Sequence, residues 1–514
     1  MKIRLRLLLA AALAATLLVP ATAATAADAA TTTPLPTAAR PPSAPPSSSV
    51  PALTWRPCAT PQGPVGQECA VLPVPLDYRD SAGPRIDLAV SRVRSERPEA
   101  RRGVLLVLPG GPGGPGIPRL TAKGAALAAA TGGIYDLVAF DPRGTGESTK
   151  ASCGLAAEDR FLVNLRAWPA PDGGIGENVA RARRTAEACA RHGGPVLSSL
   201  STANEVRDMD RLRQALGERK LSAWGVSYGV YPAAVYAQLH PDRTDRWVLD
   251  SAGDPDPRRL ARGWKENMSL GAHQRFPDFA AWAADPPPPH EKLRLAERAE
   301  DVLPLVLDLA ARLDHEPRPS TTPGVPLTGN VLRQAVQNAL FADAAFPALA
   351  ELIQTARRPE GVPVLPAPLA APLSDTEAAV SIAVICNDLR WSGTPASYAR
   401  AVTEDRARYP LTAGAPANIT PCTFWRDAPA DQPVRITSRG PSNILMIQAL
   451  RDPATPYSGA LNMRQALGDR TRLVTLDRGG HGMYLANGNA CGDRLVTDFL
   501  TTGTRPDHDT TCPG

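Results

Sequence analysis

Apolar runs that stop on Gly, Asp or Ser recur along the chain: "RIDLAVSRV", "GVLLVLPGG", "YDLVAFDPRG", "LSAWGVS" and "RWVLDSA", then, much later, "NILMIQALRD" and "TRLVTLDRGGHG". Continuous Val/Leu/Ile runs are the pattern of strands buried on both faces, and helix-like segments alternate with them. The pattern predicts an α/β protein with a largely parallel sheet, whose chemistry gathers at the carboxyl ends of the strands. Between Pro257 and about Gly440 the strand pattern lapses. Amphipathic segments such as "EDVLPLVLDLAARL" and "GNVLRQAVQNALFADAAFPALAELI" replace it, broken by "DPPPPHEK" and "RPEGVPVLPAPLAAPL". The expected organisation is a sheet domain in two parts, 51–257 and 441–514, with a mainly helical cap, 258–440, inserted between them. No repeat of solenoid or propeller length interrupts this reading.

One apolar run ends in "GVSYG", Gly225 to Gly229, and a small-residue helical stretch, "YPAAVYAQL", follows. Strand, G-x-S-x-G and helix in that order describe a nucleophile elbow, a turn so tight that side chains two places either side of Ser227 would collide with backbone. A serine hydroxyl needs a base. His481, in "LDRGGHGMY" after the last apolar run, is the best placed of the histidines, with His240 and His273 behind it. The carboxylate that orients the imidazole should close an earlier strand. Asp452, closing "NILMIQALRD", fits that position, and Asp250, closing "RWVLD", is the alternative. Two backbone N–H groups must face the developing oxyanion. Tyr228, following the nucleophile, supplies one; Gly111, in the loop "LPGGPGGPG", is the candidate for the other, although the same loop also reads as a plain Gly/Pro surface turn. In "FDPRGTGES", Asp141 and Arg143 are expected to form a structural ion pair.

The first residues, "MKIRLRLLLAAALAATLLVPATAATAADAA", have the basic start, apolar run and small-residue end of a cleaved export signal over 1–27, and 28–50 are a Pro/Ala/Thr/Ser-rich linker or pro-segment. The apolar run is short for a membrane span, so no stable membrane association is expected once it is cut. The formal net charge is +5, and Lys2, Arg4 and Arg6 belong to the signal. The remainder is near balance and has no basic run, which argues against a nucleic-acid partner. Eight cysteines in an exported chain suggest disulfides. Pairing sequence neighbours joins Cys58 to Cys69, Cys153 to Cys189, Cys386 to Cys422 and Cys491 to Cys512. No C-x-x-C spacing favours zinc.

Taken in order, "PGGPGGPG", "DPRGTGES", "GVSYG", "RDPATPY" and "GGHG" resemble the secreted tripeptidyl aminopeptidases of actinomycetes, α/β-hydrolases of the prolyl aminopeptidase clan. The resemblance runs from Trp55 to the end and includes "RWVLDSAGDPD", the "ICND" stretch and the C-terminal cysteine placement. It implies a secreted, extracellular serine exopeptidase that acts on peptides with a free amino terminus through the triad Ser227, Asp452 and His481. It also implies the α/β-hydrolase fold, and neither metal nor organic cofactor enters the chemistry. Leu108 and Pro109 stand where relatives usually carry Asn or His, and Pro115 where Ser is usual.

Recognition of an α-ammonium calls for a carboxylate in a partly closed pocket. Asp388 in "VICNDLRWS" is the candidate; Glu205 and Asp208 in "TANEVRDMD" are weaker ones, since they read as an exposed helix start. Rival readings are a carboxylesterase on the same fold, a prolyl or single-residue aminopeptidase, and a catalytically silent binding protein. A monomer is the default.

Overall fold

The computed structural model describes residues 52–59, 63–80, 82–160, 167–256, 259, 262–487 and 489–514. The expected signal and linker, 1–50, and the expected core-to-cap boundary at 257–258 lie outside the described residues.

Every run singled out above is a strand of one ten-stranded sheet. In chain order the strands are β1 (Arg56–Pro57), β2 (Glu68–Pro75), β3 (Arg85–Val93), β4 (Gly103–Leu108), β5 (Tyr135–Phe140), β6 (Leu221–Val226), β7 (Thr244–Asp250), β8 (Ile444–Arg451), β9 (Thr471–Gly479) and β10 (Thr510–Cys512). Their spatial order is β1-β2-β3-β5-β4-β6-β7-β8-β9-β10. From β5 to β10 all neighbours are parallel, while β1, β2 and β3 pair antiparallel at one edge, as does β3 with β5. The short β1, the proline-containing β2 and β10 escaped the sequence reading because none has a long apolar run. β4, β6 and β8 are buried almost throughout, and alternate residues serve opposite faces. Leu106 and Leu108 join Met446 and Trp247 on one side. Leu105 and Val107 join Trp224, Val248 and Ile447 on the other. Each such Leu or Val contributes about 1.5–3 kcal/mol by leaving water.

Helices cover both faces. α1 (Ile117–Ala130) follows β4; α2 (Gly176–His192), α3 (Gly194–Ser198) and α4 (Thr202–Ala215) lie between β5 and β6; α5 (Val230–Leu239) follows the serine. Between β7 and β8 the described regular elements are helices and 3-10 turns: α6 (Arg262–Ala284), α7 (Val302–His315), α8 (Gly329–Ala339), α9 (Phe346–Arg357), α10 (Asp375–Asp388) and α11 (Pro395–Arg408). α12 (Tyr457–Leu467) and α13 (Ala490–Thr502) complete the chain. The long segment 329–353, read as one helical stretch, is two helices separated by a turn at Asp343–Ala345. α6 to α9 have their own apolar cluster, including Phe279, Leu309, Val336 and Ile353. α10 does not belong to it. Its Ala379, Ile382 and Ala383 pack with Leu155, Leu197 and Leu200 from the β5–β6 excursion and with Tyr228. All four sequence-neighbour disulfides are present, and Cys153–Cys189 and Cys386–Cys422 staple the two halves of this second cluster.

Candidate active site

Parallel neighbours β6, β7, β8 and β9 end side by side, with Val226 in register with Asp250 and Asp250 with Ile447. Their carboxyl ends deliver Ser227, Asp250, Asp452 and His481 to one rim. Ser227 has φ +58°, a left-handed conformation that costs an L-residue about 1–2 kcal/mol and is retained only where the surroundings impose it. Those surroundings demand glycine. A Cβ on Gly225 would stand 2.6 Å from the Gly229 carbonyl oxygen, and one on Gly229 would stand 2.5 Å from that of Pro109. Gly110 is less tightly confined but still near: its Cβ would meet Ser227 Cβ at 3.0 Å. The "PGGPGG" loop therefore lies directly against Ser227.

His481 Nδ1 sits 3.0 Å and 2.9 Å from the two oxygens of Asp452. Asp452 Oδ1 also accepts from the backbone N–H of Ala454 and of Thr455, both at 2.8 Å, and Oδ2 accepts from Thr455 Oγ1 at 3.0 Å. A carboxylate so supplied with donors is an acceptor only, which assigns the imidazole proton to Nδ1 and leaves the Nε2 lone pair to act as base. The Asp452 side chain is fully buried and that of His481 only 8% exposed. No hydrogen bond joins Ser227 Oγ to His481 among the described residues; such links are commonly loose until substrate binds.

Asp250, the alternative third member, has a different task. It accepts from the backbone N–H of Met483 at 2.8 Å and of Tyr484 at 3.0 Å, and from Trp224 Nε1 at 3.2 Å. Its neighbour Ser251 accepts from Gly482 N–H at 2.8 Å and contacts Asp250 Oδ1 at 3.1 Å. Asp250 thus holds the loop that carries His481, and burial pushes its carboxyl above the usual range. From the cap, the Phe341 carbonyl accepts the backbone N–H of His481 at 2.9 Å, and the two rings meet edge to face at 5.0 Å. The other histidines considered are elsewhere: His240 caps α5 beside Tyr236, and His273 packs on Tyr409.

Around the Gly-rich loop the expected Asp141–Arg143 pair is absent. Asp141 accepts from the N–H groups of Ile117 and Glu147, at 2.9 Å and 2.8 Å, so backbone donors supply what an arginine was expected to. Arg143 instead forms a buried two-pronged bond to Asp208, at 2.8 Å and 2.7 Å, and Tyr78 donates to the same carboxylate at 2.7 Å. Glu205 and Asp208 are consequently not an exposed helix start: they are 5% and 0% exposed, on the inner face of α4. Their charges misled the reading because a buried arginine and a tyrosine, distant in sequence, are what shelter them.

The Tyr228 hydroxyl lies 2.7 Å from Thr202 Oγ1 and 3.3 Å from Glu205 Oε2. Thr202 in turn gives Asp388 its backbone N–H at 2.8 Å and its hydroxyl at 2.5 Å. Desolvation pushes Glu205 up to about 8 and Asp388 up to about 7. Asp388, half-buried, lines a recess with Ser201, Tyr231, Asn387 and Asp431, apart from the triad. Gly110, Gly113, Glu205, Tyr228, Val380 and Val384 line a second, smaller recess beside the nucleophile. The Gly-rich loop is braced from the cap by α10, whose Ser381 hydroxyl donates to the Pro112 carbonyl at 3.2 Å. Pro115 packs near Gly146 and Asp141. Of these features, Thr455 was foreshadowed by "DPAT", since Asp readily accepts from N–H groups two and three residues on. Glu205, Ser251 and Phe341 left no such local signal.

An elbow serine, a histidine locked by a buried aspartate and a mostly parallel sheet that brings them together define a serine hydrolase of the α/β-hydrolase class. The chain is 32% identical to a tripeptidyl aminopeptidase of Streptomyces coelicolor over 90% of its own length and 86% of that protein's, and it belongs to the tripeptidyl aminopeptidase family. The family model described as "TAP-like protein" matches residues 409–512. The chain is also 27% identical to the serine protease Hip1 of Mycobacterium tuberculosis, over 89% of this chain and 90% of that one. A Mycobacterium tuberculosis protein named carboxylesterase B is 28% identical over 85% of each. Among solved structures, a hydrolase from Pseudomonas aeruginosa PA01 aligns over 80% of this chain and 91% of its own with 13% identity and a TM-score of 0.35.

Proposed function

We propose that this protein is an exported serine exopeptidase that releases short peptides, tripeptides foremost, from the free amino terminus of peptide substrates. The observation that carries the chemistry is the His481 imidazole held by both oxygens of Asp452 at the rim where Ser227 stands. The tripeptidyl aminopeptidase kinship over 90% of the chain supports the substrate class, and four disulfides fit a chain oxidised outside the cytoplasm.

In this reading His481 Nε2 takes the Ser227 proton as Oγ attacks the scissile carbonyl. The N–H groups of Tyr228 and Gly111 receive the oxyanion. His481 then protonates the departing amine, and water, deprotonated by the same nitrogen, releases the acyl product. No step calls on a metal or an organic cofactor. A free ammonium needs a carboxylate to meet it, and Asp388 is the candidate. The enzyme would act as a monomer, with no nucleic-acid or membrane partner.

A second reading is carboxylesterase, favoured by the relative that bears that name over 85% of this chain. A matched set of substrates separates the two: a free-amine tripeptide anilide, single-residue anilides, an N-blocked tripeptide anilide and a butyrate ester, each with wild type and Ser227→Ala. Cleavage of the free tripeptide anilide alone, abolished in Ser227→Ala, supports the exopeptidase. Turnover of the ester alone refutes it, and an unchanged preference for free over blocked termini in Asp388→Asn removes Asp388 from amine recognition.

A further inference from the structure

The mechanism above uses the backbone of Tyr228 and leaves its side chain unexplained. That side chain is buried and ends in a line of hydroxyl and carboxyl groups drawn from three separate elements: Glu205 and Thr202 on α4, Asp388 at the end of α10, and Tyr228 itself. Each hydroxyl has one proton to give. Asp388 receives the Thr202 hydroxyl and N–H at the amino end of α4, where the helix dipole favours an anion. Thr202, having donated, accepts from Tyr228 at 2.7 Å. Tyr228, having donated, has only a lone pair left for Glu205 at 3.3 Å. Two arrangements satisfy every group in the line, with the proton on Asp388 and the chain of donors ending on Glu205, or with the proton on Glu205 and the chain ending on Asp388; the Thr202 N–H and the amino end of α4 at Asp388 favour the second, in which Glu205 donates and Asp388 carries the charge.

We propose that Glu205 is a positioning residue of the oxyanion hole: its protonated carboxyl, acting through the Tyr228 side chain, holds the residue whose backbone N–H meets the oxyanion. This rests on the reading of Ser227 as nucleophile and Tyr228 as oxyanion donor. Loss of the proton would force the Tyr228 hydroxyl to choose between Glu205 and Thr202. It would also put a negative charge in the recess that Glu205 shares with Gly110, Gly113 and Tyr228, against the charge that develops in the transition state. The charged or titratable groups that face Glu205 are Asp208 on its own helix, Asp388 on α10, Tyr228 after β6 and Arg143 after β5. Arg143 is committed to Asp208 through two hydrogen bonds and acts on Glu205 only through space, so among the described residues no cation is hydrogen-bonded to Glu205 to stabilise an anionic form. Burial and the two carboxylates push Glu205 up to about 8, in keeping with a proton retained at neutral pH.

The test is the pH dependence of kcat and KM for wild type, Glu205→Gln and Tyr228→Phe, on both the tripeptide anilide and the butyrate ester. Glutamine donates to Tyr228 without ionising. Wild type should lose kcat at alkaline pH, by roughly tenfold per pH unit beyond the midpoint, with KM little changed. Glu205→Gln should lack that fall, whereas Tyr228→Phe, which keeps the Glu205 carboxyl, should lose only the part that passes through the hydroxyl and show a shallower one. Their neutral-pH kcat should drop by less than the roughly 10²–10³-fold that loss of an oxyanion donor costs. An alkaline fall that persists unchanged in Glu205→Gln, or a wild-type profile without one, overturns the proposal. Should Glu205→Gln not fold, infrared difference spectra of wild type decide instead: the carbonyl band of a protonated carboxyl must disappear with the same midpoint as kcat. A fluorophosphonate that labels wild type but not Ser227→Ala secures the underlying reading separately. If Ser227→Ala stays active, that reading fails and the proposal falls with it, whereas turnover of the ester alone removes only the peptide assignment and leaves the profile interpretable.

Discussion

Asp250 and Asp452 close adjacent strands, and changing each in turn separates the carboxylate that holds the histidine loop from the one that holds the imidazole. Consider Asp250→Asn. The carboxylate receives Met483 N–H on Oδ1 and both Tyr484 N–H and Trp224 Nε1 on Oδ2, at 2.8, 3.0 and 3.2 Å. An amide has one carbonyl oxygen, so its NH2 group must face donors on one side. The cheaper orientation keeps the oxygen toward Tyr484 and Trp224 and strands Met483 N–H, while the Ser251 hydroxyl turns to donate elsewhere. One buried donor left unmet costs about 1–3 kcal/mol, partly offset because a carboxylate whose ionisation is opposed by burial is replaced by a neutral group. The loop that carries His481 should shift with Met483, and displacement of a catalytic group by about 1 Å lowers the rate on the order of a hundredfold. Asp452→Asn should behave differently: its loss is in imidazole orientation and charge, about 10⁴-fold in kcat by analogy with other triads. The assay pairs kcat on the substrate that turns over with urea unfolding for both variants. A rate within twofold of wild type for Asp250→Asn, with unaltered stability, would refute the account of Asp250 as the support of the histidine loop.

Gly225→Ala should cost about 1–3 kcal/mol by denaturant unfolding and most of the activity, because its Cβ meets the Gly229 carbonyl at 2.6 Å and the elbow cannot yield without moving Ser227. Removal of Cys386–Cys422, whose partners are 36 residues apart, should cost about 3–4 kcal/mol and also lower kcat, since α10 braces the Gly-rich loop beside Ser227 through Ser381 and Pro112. Removal of Cys491–Cys512 should lower the melting temperature and leave kcat within twofold. The cap is tied to the catalytic loops by Arg451 to Asp278 at 2.9 Å and Arg478 to Asp343 at 3.1 Å, with Arg275 bonded to both aspartates. Asp278→Asn should therefore reduce kcat/KM by a few-fold and weaken its dependence on salt, read from rates at low and high ionic strength. Glu205 and Asp388, raised to about 8 and about 7, bind protons more tightly folded than unfolded. They stabilise the fold fully at acid pH and progressively less as pH rises from their unfolded values through 7 to 8, so unfolding by urea should be easier at pH 8 than at pH 5, and less so in Glu205→Gln.

The strands and the elbow were legible because their causes are local. A run such as "GVLLVL" must be buried on both faces, and "GVSYG" between strand and helix admits few backbone paths; the clashes that a Cβ at Gly225 or Gly229 would meet are the same constraint expressed in space. The order of Ser227, Asp452 and His481 and the pairing of near-neighbour cysteines are likewise properties of the chain. Which of two strand-closing aspartates would reach the histidine was not, because β7 and β8 are neighbours and both present a carboxylate at the same rim. The turn after Asp452, with Ala454 and Thr455 donating inward, settled it for the ring, and the N–H groups of Met483 and Tyr484 claimed Asp250 for the loop. Arg143 missed its expected partner for a similar reason: Asp141 is satisfied by backbone close by, whereas Asp208 comes from a helix 65 residues away. The charged residues of α4 could be read as surface only while Tyr78, Arg143, Tyr228 and α10 were still distant stretches of sequence. Periodicity reports what a side chain does to its own segment. The state of a buried carboxyl depends on every group the fold brings to it, and that sum exists only once the chain has closed.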